Sequence, residues 1–147
     1  DLMAGEQNGL QQLVKGLEIA RSGPSTTGDI AVLAIEKVPK EIVSKYGIVD
    51  ILEAESQGRL KKLKGLVEKP SADKAPSDLA VVGKYIIPRS TFAVLPSVTG
   101  SHGGEIRLID ALIAQLGQIA IYGYQFEGKR LDTGRPEGYK EAVMLLA

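Results

Sequence analysis

The run Ile30-Ala31-Val32-Leu33-Ala34-Ile35 decides the fold class. It is apolar at every position, so it lacks the alternation of a strand with one wet face. Such a run predicts a central strand covered on both sides, as in a parallel or mixed sheet. Before it, residues 6–21 set Leu10, Leu13, Val14, Leu17 and Ala20 at three- and four-residue spacings. Gln11, Lys15 and Glu18 fall on other faces, which predicts an amphipathic helix. Gly9 and Gly16 lower its propensity slightly. The breakers of Ser22-Gly23-Pro24-Ser25-Thr26-Thr27-Gly28 predict a loop between the two. Helix then buried strand is the alternation of a layered α/β fold.

Downstream, Pro39 suits a first helical turn, so Lys40–Lys45 is predicted as a short helix stopped by Tyr46-Gly47. Residues 48–53 and 60–67 read as strands around the turn Glu55-Ser56-Gln57-Gly58. In 60–67 both parities mix leucine with lysine, so neither face is clean. Residues 70–77 form a polar loop with two prolines, and 79–87, rich in Val, Ile and Tyr, is a strand ended by Pro88. A short helix is expected over 89–95 and a glycine-containing loop over 96–104. From 105 to 116, Ile106, Ile109, Leu112, Ile113 and Leu116 make one helical stripe, stopped by Gly117. Residues 119–126 set Ala120, Tyr122, Tyr124 and Phe126 against Ile119, Ile121, Gly123 and Gln125, a strand with its aromatics on one side. Residues 128–134 read as a hairpin return or loop, and Pro136 opens a last helix with Tyr139, Val143 and Leu146 on one face.

At 147 residues the chain is long enough for one domain with a real core. Eighteen basic side chains balance eighteen acidic ones. No global field therefore recruits nucleic acid or an anionic membrane, and any phosphate site must be local. The lack of cysteine excludes disulfides and thiolate metal sites and fits a reducing cytoplasm. No apolar run approaches the ~20 residues needed to span a bilayer, and no signal peptide is visible. The chain opens at Asp1 and closes in Val143-Met144-Leu145-Leu146-Ala147, which we expect of a fragment. On that expectation part of the sheet is left unpaired and apolar surface is exposed.

Function is carried by Gly65-Leu66-Val67-Glu68-Lys69-Pro70, where an apolar run ends in a carboxylate, an ammonium and a proline. Adjacent strand residues point to opposite faces, so Glu68 and Lys69 address different things unless the strand is already turning. Glu68 can accept hydrogen bonds from sugar hydroxyls, and Lys69 offers three donors and a charge to a phosphate. By themselves these residues read as a solvated strand end. Further motifs change that reading: Lys45-Tyr46-Gly47-Ile48-Val49-Asp50, Leu79-Ala80-Val81-Val82-Gly83-Lys84-Tyr85, Gly103-Gly104-Glu105-Ile106, and Gly128-Lys129-Arg130-Leu131-Asp132-Thr133-Gly134. In this order, densest over 38–139, they resemble the second half of the bacterial UTP–glucose-1-phosphate uridylyltransferases, a family of sugar-nucleotide pyrophosphorylases. They resemble these more than the thymidylyltransferase or ADP-glucose relatives.

The resemblance implies a Rossmann-like α/β nucleotidyltransferase fold, a mixed sheet flanked by helices, here incomplete. Residues 1–147 would be part of a single domain, its sugar-phosphate half. The implied chemistry is an in-line displacement in which glucose 1-phosphate attacks the α-phosphorus of UTP and pyrophosphate leaves. It rests on positioning and charge neutralisation. By the same resemblance Gly47 faces a glucose hydroxyl with its backbone, though a helix C-cap would suit it equally. Glu68 accepts from glucose hydroxyls, Lys69 binds the sugar phosphate, and the main chain of Val81 touches the sugar. Glu105 caps or orders the sugar loop. Asp132 is the implied ligand of Mg²⁺, although Asp before Thr-Gly is also a common turn former. Lys69 and Asp132 are thus the implied catalytic residues. Implied partners are glucose 1-phosphate and UTP, with a homo-oligomer when intact and neither nucleic acid nor membrane. His102, the lone histidine, is given no role.

Some family features are missing or altered. The glycine-rich loop that cradles the triphosphate has no counterpart in these residues. Ile109 stands where relatives often carry threonine, so Asp110 is read as structural. Asp1-Leu2-Met3 could be the tail of the second metal motif, whose ligand would then lie just before residue 1, so no metal role is assigned to Asp1. Two other readings stay open. One is a thymidylyl- or ADP-glucose-type transferase; the other is a non-catalytic sugar-phosphate-binding domain, which Asp132 argues against modestly.

Overall fold

The structure, a computed structural model, describes residues 2–23, 28–100 and 105–146, without side chains at 2–4 and 146. His102 and Asp1 lie outside the described residues, as do 24–27 of the first loop and 101–104 of the second. Seven strands and four α-helices follow among the described residues. They are β1 (Leu2–Ala4), α1 (Gly9–Ser22), β2 (Ile30–Lys37), β3 (Gly47–Ile51), β4 (Leu60–Glu68), β5 (Leu79–Ile86), α2 (Ser90–Val94), α3 (Leu108–Ala114), β6 (Ala120–Gln125), β7 (Lys129–Leu131) and α4 (Pro136–Leu146). Single 3₁₀ segments occur at Lys40–Lys45, Glu53–Glu55 and Leu95–Ser97.

The apolar run at 30–35 is covered on both faces. Ala31, Leu33 and Ile35 enter one core with Val49, Leu63, Val81, Ile109, Leu112 and Ile121. Ile30, Val32 and Ala34 enter another with Leu13 and Ala20 of α1 and the rings of Tyr122, Tyr124 and Phe126. β2 pairs in parallel with β6 and antiparallel with β5, so the sheet is mixed. The two-fold alternation read in β6 holds, with Ile121 in the first core and the aromatics in the second.

β4 shows why its lysines and leucines mixed. The register shifts between Asp50↔Gly65 and Ile51↔Leu63, an irregularity that lets Leu63 and Leu66, of opposite parity, enter the same core. The strands run β2-β5-β3-β4-β6 and close into a ring, with β3 and β5 joined at Ile48↔Ala80. The expectation of an unpaired sheet edge is therefore corrected for this ring. Exposed apolar surface is present, mostly on helices, as at Leu10 and Val14 of α1 and Val143, Met144 and Leu145 of α4, with Val67 of β4 exposed as well.

Other boundaries moved for local reasons. α1 starts at Gly9, not at residue 6, because Asn8 and Gln11 form a reciprocal cap: the Gln11 amide donates to Asn8 Oδ1 (2.9 Å) and the Asn8 amide to Gln11 Oε1 (3.2 Å). α3 starts at Leu108, not at 105, because the Asp110 carboxylate accepts from the Arg107 amide at 2.9 Å. Ile106 of the predicted stripe is consequently exposed. α4 turns its Tyr139 and Val143 to solvent, against the predicted face, and buries Ala142. Residues 129–131 form no hairpin with their neighbours; β7 pairs antiparallel with β1 outside the ring. Buried Gln12 fastens α1 to this ribbon, donating to the Glu127 carbonyl (2.9 Å) and accepting from its amide (2.6 Å). Among the described residues no helix is long and apolar enough to cross a membrane.

Candidate active site

A groove of about 240 Å³ opens beside the ends of β3 and β4, lined by Gly47, Glu68, Val81, Tyr85 and Arg107 among others. Three predicted site residues, Gly47, Glu68 and Val81, thus share one wall. Their meeting follows from pairing: antiparallel β3 and β4 set Gly47 opposite Glu68, and Val81 sits on β5, joined to β3. The carboxylate of Glu68 is 13% exposed, so the groove holds it while leaving it reachable. Burial pushes the Tyr85 hydroxyl up from its ordinary value, with the Glu68 charge adding to the effect. That hydroxyl therefore stays protonated and able to donate at neutral pH.

Gly47 is required by contact, not by backbone freedom. A Cβ there would lie 2.6 Å from Ile109 Cδ1 and 3.1 Å from Glu68 Oε2. Ile109 can give way by turning its terminal methyl, but the carboxylate would be displaced with it. We expect Gly47→Ala to cost about 1 kcal/mol of stability. Its larger effect should be a roughly tenfold rise in the KM for the sugar ligand, read from steady-state kinetics beside a thermal melt. An unchanged KM would mean that nothing binds against this wall.

Lys69 settles which way the strand end points. It has φ 47°, the one non-glycine residue with positive φ among those described. This left-handed step lets Lys69 Nζ lie 3.9 Å from Glu68 Oε1 although the two residues are adjacent. The Lys69 amide donates to the Tyr46 carbonyl at 3.0 Å, and buried Pro70 follows. The strand is already turning, so carboxylate and ammonium address the same space. A left-handed lysine costs about 1–2 kcal/mol, and such strain concentrates at functional sites.

Sequence reasoning missed Arg107. Its Nη1 donates to Glu68 Oε1 at 2.9 Å, and its Nη2 to Glu105 Oε2 at 3.2 Å. Glu105 is itself exposed and reaches the groove through this guanidinium. A helix over 105–116 sets Arg107 off the apolar stripe, so hydrophobic spacing gives it no role. The pairing of Asp110 with the residue three before it is the signal that would have moved the helix start.

Asp132 does not line the groove. It follows β7 in a tight turn, where the Gly134 amide donates to its Oδ1 (3.1 Å) and Arg135 Nε lies 3.5 Å from its Oδ2. Among the described residues no group of three or more His, Cys, Asp or Glu could hold a metal ion. A single half-exposed carboxylate still suits a hard cation that keeps waters and takes its other ligands from substrate phosphates. The turn is held from behind by α4, since a Cβ on Gly138 would lie 2.0 Å from the Asp132 carbonyl oxygen. Alanine at 138 would gain about 1 kcal/mol of helix propensity but meets rigid backbone. We expect Gly138→Ala to be net destabilising by about 1–3 kcal/mol, read as a lower melting temperature. A rise would show that α4 does not seat on this turn.

Strand order, groove and acidic turn define a class. A profile of the nucleotidyl transferase family matches residues 17–147, and the chain belongs to that family. Its relatives narrow the class. The UTP–glucose-1-phosphate uridylyltransferase of Komagataeibacter xylinus is 40% identical over 103 residues, covering 70% of this chain and 36% of the relative. That of Bacillus subtilis (strain 168) is 37% identical over 140 residues, covering 95% and 44%. Among solved structures, a UDP-glucose pyrophosphorylase complexed with UDP-glucose superposes with a TM-score of 0.81 at 32% identity, covering 99% of this chain and 52% of that one. The chain thus spans less than half the length of these two curated relatives.

Proposed function

We propose that this chain is the sugar-phosphate half of a UTP–glucose-1-phosphate uridylyltransferase, with residues 1–147 part of one nucleotidyltransferase domain. One observation carries the reading: the groove gathers Gly47, Glu68 and Val81, and the left-handed Lys69, which does not itself line it, sets its ammonium 3.9 Å from the Glu68 carboxylate. The relatives' names support the same reaction.

In the proposed reaction a phosphate oxygen of glucose 1-phosphate forms a bond to the α-phosphorus of UTP. The bond from that phosphorus to the leaving oxygen breaks, and pyrophosphate departs with the electron pair. Glu68 accepts from glucose hydroxyls, its rotamer held by Arg107. The backbone of Gly47 and Val81 forms the sugar wall. Lys69 neutralises the attacking phosphate, and Glu105 steadies Arg107. Asp132 holds a divalent metal, proposed as Mg²⁺, which when bound offsets charge on the triphosphate. A cytoplasmic homo-oligomer is kept as part of this proposal.

The test is pyrophosphate release by the complete gene product with glucose 1-phosphate, Mg²⁺ and UTP, dTTP or ATP in turn. Turnover favouring UTP supports the proposal. Preference for another nucleotide replaces uridylyl with that group, and glucose 1-phosphate binding without turnover replaces the enzyme with a binding domain.

A further inference from the structure

We propose that Arg130 is a positioning residue that locks the Asp132 turn to the sugar-phosphate groove; this rests on the reading of both sites given above. Arg130 lies on β7, two residues before Asp132, on a ribbon outside the ring. Its Nη2 donates to Tyr46 Oη at 2.8 Å, and its guanidinium carbon lies 5.1 Å from the Tyr46 ring centroid. Its Nε lies 2.7 Å from Glu36 Oε1 near the end of β2, with both side chains about four-fifths buried.

Tyr46 is the other half of the link. It lines the groove beside Gly47, packs against the cluster of Val38, Val43, Ile48 and Ala80, and accepts the Lys69 amide. A path therefore runs from Arg130 on β7 through Tyr46 to the backbone amide of Lys69, with Glu36 of β2 anchoring the guanidinium. The planar guanidinium serves Glu36 through Nε and Tyr46 through Nη2 in one fixed geometry, which a lysine ammonium does not reproduce. In-line attack depends on how the attacking phosphate oxygen is placed against the α-phosphorus, and a misplacement of about 1 Å costs about 10²-fold in rate. By joining β7 to Tyr46, the link holds the Asp132 turn and the groove at one spacing.

The test uses Arg130→Met, Arg130→Lys, Tyr46→Phe and Glu36→Gln in the complete gene product, each checked by thermal melting. Arg130→Met should lower kcat about 10²-fold and raise the Mg²⁺ concentration giving half the maximal rate, with the KM for glucose 1-phosphate within about threefold of the parent's. Arg130→Lys should not rescue. Tyr46→Phe should lower kcat less and add nothing to Arg130→Met, as members of one unit do. Near-parental kcat in Arg130→Met, or rescue by lysine, overturns the proposal. The link is also read without turnover, by amide hydrogen exchange of the ligand-free protein. Arg130→Met should speed exchange in peptides covering 45–49 and 129–134 together, whereas a change confined to 129–134 overturns it. Failure of the parent to release pyrophosphate refutes the proposed reaction and leaves the link to be decided by exchange.

Discussion

Lys69→Gly should leave the complete protein's melting temperature within a few degrees of the parent's while cutting turnover about 10²–10³-fold. The two halves of this expectation have separate causes. Lysine at φ 47° carries about 1–2 kcal/mol of backbone strain, which glycine relieves. Glycine in turn loses about 0.5–1 kcal/mol through the greater freedom of its unfolded chain. The long pair with Glu68, at 3.9 Å and with Lys69 more than a third exposed, adds about 0–1 kcal/mol at most, so these terms nearly cancel. The ammonium has no such compensation if it neutralises the attacking phosphate. Lys69→Ala should lose turnover equally and melt lower than Lys69→Gly. Turnover near the parent's in either variant would remove Lys69 from the chemistry.

Asp132→Asn is expected to lower metal-dependent turnover about 10²–10³-fold, with part of the loss recovered at higher Mg²⁺. Asparagine keeps the oxygen that accepts the Gly134 amide and readily occupies such turns, so the fold should be unaffected. What disappears is the negative charge. A rate that falls without any change in metal dependence would assign Asp132 to turn formation alone. Kinetics over a series of Mg²⁺ concentrations, with melting curves as control, separates the two.

The sequence made some elements plain because their signal is local. The run 30–35 of β2 is apolar at every position and β6 alternates without interruption, and each sits as that pattern dictates. Glu68 and Gly47 were legible as candidates, and the pairing of β3 with β4 sets them opposite one another. Three features were hidden for identifiable reasons. Arg107 depended on a helix start fixed by one Asp110 contact, which hydrophobic spacing does not register. The mixed faces of β4 came from a register shift that depends on its partner strand. β7 is three residues long and pairs with β1 across almost the whole chain, beyond any local pattern. The left-handed turn of Lys69 was foreseeable only as a condition, a strand already turning before Pro70. That turn is what brings ammonium and carboxylate to one place.

The groove at Gly47 and Glu68, with Lys69 beside it, is proposed to hold a sugar phosphate. The most direct measurement is a crystal structure of the complete gene product with glucose 1-phosphate. The glucose ring should lie against Gly47 and Val81 with hydroxyls on Glu68, and a phosphate oxygen about 3 Å from Lys69 Nζ. Sugar density elsewhere, with this groove holding only solvent and the Arg107–Glu68 pair, would contradict it.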